Sequence, residues 1–147
     1  MKSFIAIFSL LFTLSISAHA TPEQEKAFVQ KYKTALEAKD TTTLQSCLYT
    51  TGADPMIVGF YKMMQSNGEG DKVSKIDLVD LTADDMKKAT APQDGPSGKV
   101  CLNLQPTKKL VIMIEKKDEN GSSSNTTENF IAEKDGKFVI PVPGPCK

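Results

Sequence analysis

The sequence predicts an α+β domain in which N-terminal helices pack on a curved antiparallel sheet. Three observations predict it. Apolar residues recur at helical spacing early in the chain, at Phe28, Tyr32, Ala35 and Leu36 and again from Met56 to Met64. Four extended runs crowd the second half: "KVCLNLQ", "KKLVIMIEKK", "TENFIAEK" and "KFVIPV". The last two are joined by Asp135-Gly136, the strongest short hairpin signal.

The first segment reads as a targeting signal. "MK" supplies positive charge, "FIAIFSLLFTLSI" an apolar run of about 13 residues, and Ala18-His19-Ala20 a small-x-small cleavage site. The run is short for a bilayer span. The expectation is a signal peptide over 1–20, a single domain over 21–147 with a short tail at 143–147, and a periplasmic or secreted location.

Losing that segment removes His19, the only histidine. Histidine-dependent nucleophilic triads and histidine metal sites are then excluded. Every basic residue is lysine, so no guanidinium is available to clamp phosphate or guanine. The formal net charge is zero, and no basic footprint for nucleic acid appears. No cofactor or metal is called for.

Thr21 and Gln24 have capping-box spacing, with Pro22 at the first helical position of "TPEQEKAFVQKYKTALEAKD". Asp40 or Thr41 caps a short second helix through "TTLQSCLY". Asp54-Pro55 opens a third, "PMIVGFYKMMQ", which is apolar nearly all round. Met56, Phe60, Met63 and Met64 line one side of it, and Ile57 and Tyr61 another. "SNGEGD" is a loop, "KVSKIDLVDL" a strand, and "TADDMKKA" a helical turn capped by Thr82. "TAPQDGPSG" and "KDENGSSSN" read as loops.

The Asp135-Gly136 turn sets the register of the last hairpin. Glu133 opposes Phe138 and Ile131 opposes Ile140 on one face, while Ala132 opposes Val139 on the other. Both faces are apolar, so each needs a cover. Helices cover one. A homodimer partner, or the chain's own loops and the 82–89 segment, covers the other.

Three cysteines in an exported chain allow one bridge and one leftover thiol. Cys146, one residue from the terminus, is the one that needs holding. Cys101 in the strand-like "KVCLNL" is its favoured partner, and Cys47 on the apolar side of a helix is the alternative.

Helices followed by a sheet that ends in "ENFIAEKDGKFVIP", after the opening "AFVQKYKTALEAKDTTTLQSCL", resemble the nuclear transport factor 2-like superfamily, whose fold is a cystatin-like α+β cone. That resemblance covers roughly residues 21–142 and implies a pocket between helices and concave sheet. It implies no single function, because the superfamily holds both enzymes and binding domains.

The expected pocket is lined by Tyr49, Met56, Phe60, Tyr61, Met63 and Met64, with Ile112 and Ile114 as its floor; methionine-rich walls suit an adaptable apolar site. The leading expectation is a non-catalytic binding domain for a small apolar or amphipathic molecule or a partner chain. A lyase or isomerase is the rival. It needs a buried carboxylate, drawn from Asp54, Asp77, Asp80 or Glu115, beside a tyrosine such as Tyr32, Tyr49 or Tyr61. An interaction module pairing through the outer sheet face is the third.

Overall fold

The computed structural model describes residues 20–67, 72–118 and 121–147. The expected leader and the Gly68–Asp71 part of the "SNGEGD" loop lie outside them.

Helix α1 (Pro22–Glu37) begins at a complete capping box. The Thr21 hydroxyl accepts from the Gln24 amide, and the Gln24 side chain accepts from Thr21 N–H. Its inward stripe is Phe28, Tyr32, Ala35 and Leu36. Helix α2 (Thr41–Ser46) is capped by Asp40, whose carboxylate takes the Thr43 amide at 3.0 Å. The chain then extends as β1 (Leu48–Tyr49) before α3 (Pro55–Asn67). The sequence pattern carried α2 through Tyr49. Instead β1 pairs in parallel with the strand over Lys137–Pro141, so the main sheet is mixed.

Strand β2 (Val73–Asp80) leads to α4 (Ala83–Thr90), which has a second capping box between Thr82 and Asp85. Next come β3 (Gln93–Gly95) and β4 (Gly98–Leu102). They form a hairpin where "TAPQDGPSG" reads as a loop. Strands β5 (Lys108–Asp118), β6 (Gly121–Lys134) and β7 (Lys137–Pro141) follow, then β8 (Pro143–Pro145). The "GSSSN" expected in a loop belongs to β6, held by an unbroken register against β5 from Lys108↔Ile131 to Asp118↔Gly121. Pairing overrides weak local strand preference there.

The main sheet has the order β1-β7-β6-β5-β2 and the small sheet β3-β4-β8. The last hairpin has the register set by its turn, with Ala132↔Val139 and Glu133↔Phe138. Asp135 and Gly136 both take positive φ, 51° and 70°, as a two-residue hairpin turn requires.

The core lies between α1 and the inner face of the main sheet. Leu110, Ile112 and Ile114 of β5, Ile131 of β6 and Phe138 and Ile140 of β7 meet Phe28, Leu36 and Leu44 there. The Phe28 and Phe138 rings stand 5.5 Å apart. On the outer face, the Lys109 ammonium bridges Asp85 of α4 at 3.0 Å and Glu128 at 3.2 Å. That ties the 82–89 segment to this face. Ala132 on this face is fully buried within one chain, while its neighbours Phe130 and Val139 are half-buried.

The Cys101–Cys146 disulfide is present and joins β4 to the tail, leaving Cys47 as a buried free thiol. Asn103 clamps the same region. Its Nδ2 donates to the carbonyls of Tyr49 (2.7 Å) and Thr51 (3.1 Å), and its Oδ1 accepts from Val142 N–H (3.0 Å). No helix among the described residues is long and apolar enough to cross a membrane.

Candidate functional site

A cleft of about 290 Å³ opens between the C-terminal half of α1, the end of α3 and the strands β5 and β6. Its apolar walls are Leu36, Met64, Ile112 and Ile114. Tyr32, Gln65, Thr127 and Asn129 supply its polar groups.

Each position follows from local pattern. Tyr32 lies four residues after Phe28 and four before Leu36, on the buried stripe of α1. Gln65 continues the line Ile57–Tyr61 on the inward side of α3. Thr127 and Asn129 share parity with Ile131, so β6 turns them to the inner face.

At the cleft the Tyr32 hydroxyl donates to Gln65 Oε1 at 2.7 Å. Both residues are buried, Tyr32 to 2% exposure and Gln65 to 7%. Burial pushes the Tyr32 phenol up to about 12, against the lowering effect of Gln65. Tyr32 therefore stays protonated at neutral pH. It serves as a donor that fixes the Gln65 amide rather than as a base. With Oε1 occupied, Gln65 Nε2 has no hydrogen-bond partner among the described residues, and no buried polar side-chain atom there is left unsatisfied. Gln65 lines the cleft, and the two N–H donors of its Nε2 are unused among the described residues.

The expected pocket residues divide. Met64, Ile112 and Ile114 line the cleft. Met56, Phe60 and Met63 do not. They lie on the outward side of α3 at 66%, 53% and 52% exposure, so this helix is not buried all round. Tyr61 is half-buried against the core, where burial raises its phenol pKa. Tyr49 sits in β1, away from the cleft, with its carbonyl taken by Asn103.

The carboxylate candidates are accounted for elsewhere. Asp54 caps α3, accepting from Met56 N–H (2.8 Å) and Ile57 N–H (3.3 Å). The Ser97 hydroxyl and those amides hold its carboxyl below the ordinary value, chiefly the hydroxyl. Asp77 pairs with Lys75 and Asp80 with Lys108, both on exposed side chains. Glu115 is exposed. Among the described residues lining the cleft there is no Asp or Glu. A wider depression of about 460 Å³ lies between α1 and the β6–β7 turn, walled by Phe28, Cys47 and Phe138 with Lys31 and Lys137. It lacks the converging buried polar pair of the cleft.

Sequence reasoning places Leu36 on the apolar face of α1 but misses Gln65, Thr127 and Asn129. The signal for them was present in the Ile57–Tyr61 line and in the parity of β6.

No family model matches the chain, and no curated protein matches it. Among solved structures it is similar to the helical cell shape determining protein Pgp2 from Campylobacter jejuni. The identity is 16% and the TM-score 0.41, over 80% of this chain. The chain spans 38% of the length of that protein. A likeness of that degree carries no argument about function.

Proposed function

We propose that this chain is an exported, non-catalytic binding domain of the nuclear transport factor 2-like type. Its cleft takes one small, uncharged, mainly apolar molecule that bears a hydrogen-bond acceptor. The observation that carries this reading is the Gln65 amide, held by buried Tyr32 and lining a mainly apolar cleft, with its Nε2 donors unused among the described residues. Binding sites of this kind combine apolar walls with a few placed polar groups. The volume, at the low end of such sites, calls for a ligand of few heavy atoms. A charged ligand would enter without a counter-charge, since no ionisable side chain but the protonated Tyr32 lines the described cleft. The lyase or isomerase reading needs a carboxylate that the described lining does not supply. The Cys101–Cys146 bridge supports export, because such bridges persist in oxidising compartments.

The test is a titration with the small uncharged fluorophore 7-methoxycoumarin, whose lactone carbonyl is a hydrogen-bond acceptor. The wild-type chain should bind it saturably at one site. Thr127→Trp, which fills the cleft from an exposed position, should abolish that binding without unfolding the protein. Absence of saturable binding, or binding that Thr127→Trp leaves intact, sinks the reading.

A further inference from the structure

We propose that two copies of this chain pair edge to edge through β6, antiparallel and centred on Asn125, so that the two main sheets become one. The surface goes beyond the cleft and does not depend on what the cleft binds.

The argument starts from hydrogen-bond parity. Lys134 and Lys137 close the two-residue Asp135-Gly136 turn and so form a hydrogen-bonded pair. Such pairs recur at every second residue. Along β6, which runs in unbroken register, the residues whose N–H and C=O face the β7 side are therefore Lys134, Ala132, Phe130, Glu128, Thr126, Ser124 and Ser122. Strand β7 covers only Lys134 and Ala132 of these. It ends at Pro141, which has no N–H, and the chain turns away into the small sheet as β8. From Glu128 back to Ser122 the backbone donors and acceptors on this edge have no partner among the described residues.

Open edges are ordinarily blunted by shortness, proline, charge or a bulge. The other edges here carry those devices. Strand β1 is two residues long and β3 three. Strand β8 contains Pro143 and Pro145. Strand β2 has a register break between Val73 and Lys75 and bears Lys75, Asp77 and Asp80. The β6 stretch Gly121–Thr127 has no proline, no charge and no register break.

A row of unpaired backbone groups is matched only by another extended chain. A second copy matches it without conflict. An antiparallel pairing about Asn125 sets Ser124 against Thr126 and Ser122 against Glu128, so no like charges meet. The Glu128 carboxylate is meanwhile engaged by Lys109 on the outer face. A two-fold axis through Asn125 gives the isologous geometry most homodimers adopt.

The experiment is native mass spectrometry of the full exported chain at micromolar concentration, with two double variants. Ser124→Lys with Thr126→Lys sets like charges across the pairing, and Ser124→Asp with Thr126→Asp does the same with opposite sign. The expected result is a wild-type dimer, a monomer for each variant alone, and a mixed dimer when the two are combined. Circular dichroism matching wild type confirms that each variant folds. A wild-type monomer overturns the proposal and leaves the edge to an extended segment of another protein. Variants that each stay dimeric overturn it too, and move the interface to another surface.

Discussion

Replacing Cys146 with serine opens a loop whose ends are 45 residues apart in sequence. In the chain-entropy description, closing a loop of that length lowers the entropy of the unfolded chain by about 13 cal/mol/K, or about 4 kcal/mol at 25 °C. Little of that should be recovered or lost in the folded state. The tail is also held by the Asp54 N–H to Pro143 carbonyl bond (2.9 Å), by Val142 N–H on Asn103 (3.0 Å) and by Cys146 N–H on the Lys99 carbonyl (3.3 Å). The folded structure should therefore survive the substitution while the unfolded ensemble gains freedom. The assay is urea unfolding of wild type and Cys146→Ser, without reductant and then with it. Wild type without reductant should be more stable by about 2–4 kcal/mol, a fall in Tm on the order of 10–20 °C for the variant. Reductant should bring wild type down to the variant. Cys47→Ala, at a buried but unbridged position, should cost less, about 1 kcal/mol. A Cys146→Ser loss no larger than that of Cys47→Ala would refute the reasoning.

Asn103→Ala removes three hydrogen bonds that join β1, the loop before α3 and the tail, and should cost on the order of 2–3 kcal/mol in the same unfolding assay. Gly144→Ala puts a Cβ against the Gly52 carbonyl oxygen and 3.0 Å from Ala53 Cα, both backbone atoms that yield poorly. It should cost about 1–3 kcal/mol and raise amide exchange at the start of α3, since Pro143 anchors Asp54 N–H. Asp85 carries a pH signature. The Thr82 backbone first, then the Lys109 ammonium and the Thr82 hydroxyl, hold its carboxyl down at about 2. A carboxyl lowered on folding contributes stability that is fully present above its ordinary value of 3.8 and is lost as pH falls through about 2. Asp85→Asn should thus be less stable than wild type at neutral pH, and the two unfolding curves should converge between pH 4 and 2.

Much of the fold was legible because local chemistry and tertiary structure agree. Thr21 with Gln24, Asp54 before Pro55, and Asp135-Gly136 each specify backbone geometry within four residues, and each behaves so in the folded chain. The Cys101–Cys146 pairing was favoured because the tail needed anchoring. The site was less legible for a definite reason. Helix α3 is apolar on most of its circumference, so periodicity does not say which side turns inward. The methionine-rich side was the natural choice for a pocket wall, yet the inward line is Ile57, Tyr61 and Gln65. A glutamine at the end of an apolar helix reads as solvent-facing, and only the Tyr32 hydroxyl 33 positions away shows otherwise. The "GSSSN" stretch failed as a loop for the converse reason. Its strand character comes from β5 alongside, which no local window contains.

The central claim is that the cleft built on Tyr32 and Gln65 is the binding site. Its most direct test is a two-dimensional amide and methyl NMR titration with 7-methoxycoumarin. The account predicts shifts concentrated at Leu36, Met64, Gln65, Ile112, Ile114 and Thr127, including the Gln65 side-chain amide. Shifts confined to the depression around Phe28, Lys31 and Lys137, or none at all, would contradict it.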